Sequence, residues 1–242
     1  MSGNVDPHCL VIEGKYDEAI AVYTNLINTD KSNYFSRAIV YLQKGEYDKA
    51  LEDIKLAEED RNSQNPDRTD IYLKTYGIVL WINKQEKEAA EIWYQLIKDV
   101  QAGKIKYSTD LTGGLVNGYL LWFAGCRNES LAEYIEKTKS FLFKKSKKRS
   151  IEYWSGPIAQ YILGNISESD LLDAAETESD ILTSRQLCQA HFYIAINYYL
   201  NGDKENYVRE LQACVENGKK TMLEYEIYLA QYELARIKKP LA

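Results

Sequence analysis

The phrase EGKYDEAIAVY at residues 13–23 returns as KGEYDKALEDI at residues 44–54. A Gly-x-Tyr-Asp-x-Ala phrase stated twice constrains the fold more than any other feature of this chain, because repetition at a distance records architecture rather than chemistry. The frame is a turn residue flanked by apolar helical segments. It continues beyond the two copies, with anchors at Gly14, Gly45, Lys84, Gly125, Gly164 and Gly202 spaced by 31, 39, 41, 39 and 38 residues. Five residues after the first five anchors stand Ala19, Ala50, Ala89, Ser130 and Ser169. Seven residues before four of them stand Ala38, Gly77, Gly118 and Ala195. Small side chains at fixed offsets mark where helices must approach closely, and a near-constant period means helical hairpins stacked one on the next.

Composition agrees. Four prolines and 13 glycines against 20 tyrosines and 27% charged residues argue against sandwiches and barrels, whose many turns consume Gly and Pro. With 242 residues, 45% of them apolar, the chain can bury a sizeable core. It reads as one domain over residues 1–242, with more regular units in 1–103 and longer, degenerate units in 104–242. Helices are expected near 16–28, 33–44, 47–61, 69–83, 86–101, 110–124, 128–145, 150–163, 168–178, 182–201, 204–217 and 221–238. Pro7 leaves little more than a short turn before Gly14. Asp70 and Asp110 are expected as N-caps, and Pro157 belongs in the first turn of a helix beginning near Gly156, or else kinks one that begins sooner. RNSQNPDRTD and QAGKIKYSTD are the expected loops.

The second unit carries a family resemblance. In YFSRAIVYLQKGEYDKALEDIKLA, Tyr34, Ala38, Tyr41, Gly45, Tyr47, Ala50, Ile54 and Ala57 stand at the signature positions of a tetratricopeptide repeat. The resemblance implies a right-handed α-solenoid of about six helical hairpins with a C-terminal capping helix. The C-terminal third, with WSGPIAQYILGNISESDLLDAA, RQLCQAHFYIAINYYLNGDKENYVREL and LEYEIYLAQYELARI, is similar to the tail of bacterial tetratricopeptide proteins of the NlpI lipoprotein type. That likeness implies an adaptor that binds other proteins. The lipid-bearing cysteine signal of that type is missing, so its location and partners do not carry over. The carboxylate clamp of chaperone-binding tetratricopeptide domains is not expected either, because Ser36 stands where that clamp has asparagine.

Candidate chemistry is sparse. Cys188 and His191 lie three residues apart on one expected helix, a spacing that suits a nucleophile and base or a shared ligand; packing in the core is the competing reading. Cys9, Cys126, Cys188 and Cys214 form no Cys-x-x-Cys pair, which points to a reducing compartment and to no metal or disulfide framework. No phosphate-cradling, dinucleotide or nucleophile-elbow motif is present, and neither an enzyme nor a cofactor is expected. The acidic runs LAEED and ESDLLDAAETESD read as solvated faces. The balance is +6 over residues 104–149 and −7 over 150–184, within a net charge of −6. KKSKKR at 144–149, after the aromatic FLF, is the one stretch suited to phosphates and bases, but an acidic chain argues against nucleic acid. No apolar run spans a membrane, and no leader is evident, so a cytoplasmic location is expected, or a periplasmic one had a signal segment been removed.

Aligned on their anchors, the units place Leu42, Trp81, Trp122, Tyr161 and Tyr199 three residues before. Ile39, Ile78, Tyr119, Ile158 and Ile196 stand six before, and Phe35, Lys74, Leu115, Trp154 and Phe192 ten before. The resemblance puts these positions on the concave face. The expected partner-binding residues are therefore Phe35, Lys74, Trp81, Tyr119, Trp122, Trp154, Tyr161, Phe192 and Tyr199, holding a peptide or folded domain of another protein. The alternative is that the stripe is core, covered by the last helix or by a tightly closed superhelix. Within the binding class, the chain reads first as an adaptor or scaffold and second as an immunity protein that neutralises a bacterial toxin by stoichiometric binding.

Overall fold

The computed structural model describes residues 6–64, 70–104, 114–147, 149–220 and 224–238. Among them are thirteen α-helices and no strand. They are α1 Pro7–Ile12, α2 Tyr16–Ile27, α3 Asn33–Lys44, α4 Tyr47–Gln64, α5 Asp70–Ile82, α6 Glu86–Gln101, α7 Leu115–Arg127, α8 Glu133–Lys145, α9 Gly156–Ile162, α10 Glu168–Ala175, α11 Asp180–Leu200, α12 Lys204–Gly218 and α13 Glu226–Lys238.

The recurring frame is a recurring helix ending. Gly14, Gly45, Lys84, Gly164 and Gly202 all have positive φ, between 63° and 80°. At Gly45 the amide donates to Leu42 O and the next amide, of Glu46, donates to Tyr41 O, which satisfies two of the carbonyls a helix end leaves open. The same two bonds recur at Gly14, Lys84, Gly164 and Gly202. A left-handed residue at this point turns the chain back at once, so α1 pairs with α2, α3 with α4, α5 with α6, α9 with α10, and α11 with α12. Gly125 is the exception. It lies inside α7, which ends at the extended Asn128, whose side chain accepts from the Ser130 amide. Its role is space: a Cβ there would stand 2.9 Å from Ile135 Cγ1 on α8.

Close approach explains the other small residues. A Cβ on Gly77 would meet Trp93 Nε1 at 2.2 Å, and one on Gly118 would meet Phe141 Cδ1 at 2.9 Å; Ala38 and Ala195 are fully buried. Each α-helix pair then packs on the next in chain order, α2 on α3, α4 on α5, α6 on α7 and α10 on α11. The order is interrupted once, where the segment between α8 and α9 carries a 3-10 turn at Arg149–Glu152. There α7 packs directly on α11, with Phe123 and Phe192 rings 5.3 Å apart and Trp122 and Tyr193 rings 6.3 Å apart.

Several boundaries differ from expectation. Asp6 and Pro7 start a true helix, α1, because the Asp6 carboxylate accepts from the His8 amide while proline occupies the first turn. Gly156–Ile162 begins at the first of the two starts open to Pro157. α4 runs on to Gln64, into the expected loop, and Asp70 is the first residue of α5. Asp110, with the rest of 105–113, lies outside the described residues. Among the described residues no helix is long and apolar enough to cross a membrane.

The largest departure is the last helix. α13 packs not only on α12 but on α11 and α5, and it reaches further. Gln43 at the end of α3 donates to Tyr228 Oη at 3.1 Å, the Tyr47 ring meets Tyr232 edge-on at 6.3 Å, and Arg127 at the end of α7 pairs with Glu233 at 2.6 Å. It therefore lies against α3, α5, α7 and α11 as well as α12, instead of capping one end.

Candidate functional site

Most of the aromatic stripe is filled by the packing of α5, α6, α7 and α11 on one another. Trp81, Tyr119, Trp122 and Phe192 are between 0% and 3% exposed. Trp81 packs on Trp93 and Phe123, and the Tyr119 hydroxyl donates to Ser155 O at 2.8 Å. These four side chains are core, so as placed they cannot act as open anchors for a partner. Lys74 is also buried, its ammonium 5.2 Å from the Tyr225 ring centre. Trp154 is half-buried and donates from Nε1 to Gln189 Oε1 at 2.7 Å. Tyr161, also half-buried, accepts from Asn197, and burial is the main reason its phenol is pushed up to about 12. Tyr199 is the one member that is well exposed, with the Arg127 guanidinium 3.8 Å over its ring.

Phe35 is different. Together with Ile39 it lines an open cleft of about 270 Å³ where α1, α2, α3 and α5 converge on the start of α13. Tyr23, Tyr225 and Tyr228 supply aromatic walls, Val11, Val40 and Ile71 aliphatic ones. Besides the tyrosine hydroxyls, the polar groups are His8, Ser36, which bonds Tyr23, Thr75, whose hydroxyl is already given to Ile71 O, and Gln43. Such a lining suits an apolar side chain with a limited number of hydrogen-bonding groups. The sequence alignment placed Phe35 and Ile39 in the right stripe, but nothing local distinguishes their open end from the filled remainder. A second, wider hollow of about 510 Å³ lies between the ends of α7 and α11, lined by Arg127, Glu129, Tyr199, Leu200 and Tyr207 among others.

Three buried acids, Glu224, Glu226 and Glu233, lie on or just before α13. Glu224 accepts from Arg185 at 2.5 Å and from Gln189 at 2.7 Å. Glu226, with no exposure, accepts from the Tyr193 hydroxyl at 2.9 Å; burial first, and the Glu224 charge second, push its carboxyl up to about 7. Glu233 takes the Arg127 ion pair and the Tyr207 hydroxyl at 2.8 Å. Desolvation raises carboxyl pKa values in this way when compensation is incomplete. Sequence reasoning missed these residues, although three acids within an otherwise apolar helix were visible in LEYEIYLAQYELARI.

The cysteine–histidine candidate does not assemble. Cys188 Sγ faces Cys214 Sγ at 3.6 Å, and that contact together with burial raises its thiol well above the usual range. His191 Nδ1 turns instead to Glu210 Oε2 at 2.7 Å. A thiol so disfavoured as thiolate is a poor nucleophile. Among the described residues no group of three His, Cys, Asp or Glu side chains is placed to hold a metal ion. Lys144 and Lys145 occupy the last turn of α8, where positive charge suits the helix dipole. The side chains of residues 148–150, the end of the basic run, lie outside the described set. Of the acidic run, Ser167 and Asp170 form a capping box at the start of α10.

Comparison with protein-family models and with curated proteins finds no match for this chain.

Proposed function

We propose that this chain is a non-catalytic protein-binding module, a right-handed solenoid of tetratricopeptide-like hairpins that holds a segment of another protein at the open end of its inner face. The carrying observation is the apolar, tyrosine-walled cleft around Phe35 and Ile39, which α13 leaves unfilled. Its volume is close to the lower end of the range for small-ligand pockets, enough for one or two apolar side chains. An anchor of that size in a desolvated pocket is how a few residues come to dominate a protein interface.

The test is affinity capture by the tagged chain alongside two variants, Phe35→Glu and Ile39→Glu, each placing a charge in the cleft. The expected result is a partner identified by mass spectrometry that wild type retains and both variants lose, with helical circular dichroism unchanged. Equal capture by all three would remove the cleft from consideration. A captured nuclease or protease silenced at one-to-one stoichiometry would make the module a toxin-neutralising immunity protein; a partner left active would make it an adaptor.

A further inference from the structure

Two of the four cysteines are placed symmetrically about a turn. Cys188 on α11 and Cys214 on α12 stand equally far in sequence from Asn201, the residue that ends α11. In an antiparallel helix pair, residues equidistant from the connecting turn sit at the same height, because each residue adds the same rise. His191 and Glu210, nearly equidistant from the same point, meet at 2.7 Å. The two cysteines meet with their Sγ atoms 3.6 Å apart, and neither side chain has any exposure. The sulfur of Cys188 is also walled from behind: a Cβ on Gly218 would stand 2.9 Å from it, beside Ile227 of α13. A disulfide has its sulfurs about 2.05 Å apart, so this pair has only about 1.5 Å left to close. Cys9 stands exposed on α1 and Cys126 is buried on α7. No Cys-x-x-Cys spacing announces such a pair in sequence; the register of the hairpin does.

We propose that Cys188 and Cys214 are a disulfide site, cross-linking α11 to α12 by exchange with a small disulfide of the glutathione class while the chain is folding rather than afterwards. One cysteine, as thiolate, attacks the small disulfide, whose S–S bond breaks and releases one small thiol. The second cysteine attacks the protein sulfur of that mixed disulfide, the Cys188–Cys214 bond forms, and a second small thiol leaves. Both cysteine sulfurs are oxidised, the small disulfide is reduced, and the two cysteine protons end on the two released thiols. The timing follows from burial. Exchange needs a thiolate within reach of the oxidant, whereas in the folded protein both sulfurs are shut off from solvent, and contact with Cys214 together with burial raises the Cys188 thiol well above the usual range. The same burial shields a closed bond from reductants. A folded chain therefore keeps the state in which it folded, two thiols or one cross-link.

The experiment uses the full chain in a Cys9→Ser background, which prevents cross-linking between molecules. Reduced protein unfolded in urea is refolded into a mixture of oxidised and reduced glutathione, and folded reduced protein is held in the same mixture for the same time. Alkylation in urea and peptide mapping then read the thiols. The refolded sample should carry the 188–214 cross-link, lighter by two hydrogens, while the folded sample keeps both thiols. The cross-linked form should melt about 5–10 °C higher, as closing a loop of this length in a chain of this size predicts. Refolding that leaves both thiols free, stops at a mixed disulfide or pairs either one with Cys126 would overturn the site, as would a cross-linked form that melts no higher than the reduced one. Folded protein that oxidises as fast as the refolding chain would overturn the timing. A further measurement needs no refolding: adding about 1 M urea, below the unfolding midpoint, raises the open fraction and should speed cross-linking of the folded protein at least about ten-fold, and a rate indifferent to urea would defeat the timing as well.

Discussion

Replacing Glu226 with glutamine should stabilise the protein at neutral and alkaline pH. The carboxyl has no exposure, its one strong hydrogen bond is from Tyr193, and its other oxygen is buried without a hydrogen-bond partner among the described residues. Its pKa stands at about 7 against an ordinary 4.5. A raised carboxyl means that the folded state holds its proton where the unfolded state has released it. Folding stability is therefore unaffected well below pH 4.5, falls as pH rises from there towards 7, and stays reduced above. At about 1.4 kcal/mol per unit, the full penalty is about 3 kcal/mol. Glutamine keeps an acceptor for Tyr193 and never ionises. Urea unfolding of wild type and Glu226→Gln at about pH 5 and pH 8 should show the variant gaining about 2–3 kcal/mol on wild type across that interval. Glu224 remains in both proteins, so the comparison isolates position 226. A difference between the two proteins that does not change with pH would refute the reasoning, and a variant that loses ground towards pH 8 would reverse its sign.

Three further outcomes are expected. Gly77→Ala forces a methyl to within 2.2 Å of the Trp93 indole nitrogen and should cost about 1–3 kcal/mol by overpacking, seen as a lowered Tm; an unchanged Tm would mean that α5 and α6 can part freely. Lys84 holds the left-handed position, φ 63°, that glycine fills in four other units, so Lys84→Gly should leave stability unchanged or raise it by up to about 1 kcal/mol in the same urea assay, and a clear loss would contradict the backbone account. In the native protein a thiol reagent should modify Cys9 alone, since Cys126, Cys188 and Cys214 are buried and burial pushes the Cys126 thiol up to about 12; counting labelled thiols by mass before and after urea checks this.

Local rules carried most of the helix pattern. The left-handed ending at five of six anchors needs only a residue type, its immediate neighbours and two backbone bonds, all within the span of a short phrase. Gly125 was misplaced because a glycine that gives the chain a turn and one that gives a neighbouring helix room look alike in sequence, and only the packing of Ile135 separates them. Missing α1 had a different cause, since Asp6-Pro7 is a legible start, and the hydrogen bond that the His8 amide donates to the Asp6 carboxylate was available to local reasoning. The aromatic stripe was legible as a stripe and not as a surface. Whether it is open depends on contacts such as Trp122 to Tyr193 and Tyr119 to Ser155, far apart in the chain, and no periodicity reports on those. The acids of α13 were the usable hint: a helix with carboxylates on its apolar side must bring them to buried donors or stay in water.

A stack in which each helix pair touches only its neighbours can fray from either end, one pair at a time. The last helix removes that freedom here. By tying α3, α5, α7 and α11 to a common strut, it makes the loss of any one pair felt by pairs not adjacent to it, so unfolding should be all-or-none rather than progressive. It also imposes an order on biosynthesis. Every helix that α13 braces leaves the ribosome before it does, so the growing chain presents an unfilled, tyrosine-rich channel until residues 224–238 follow. Within that interval the nascent protein is most exposed to chaperones.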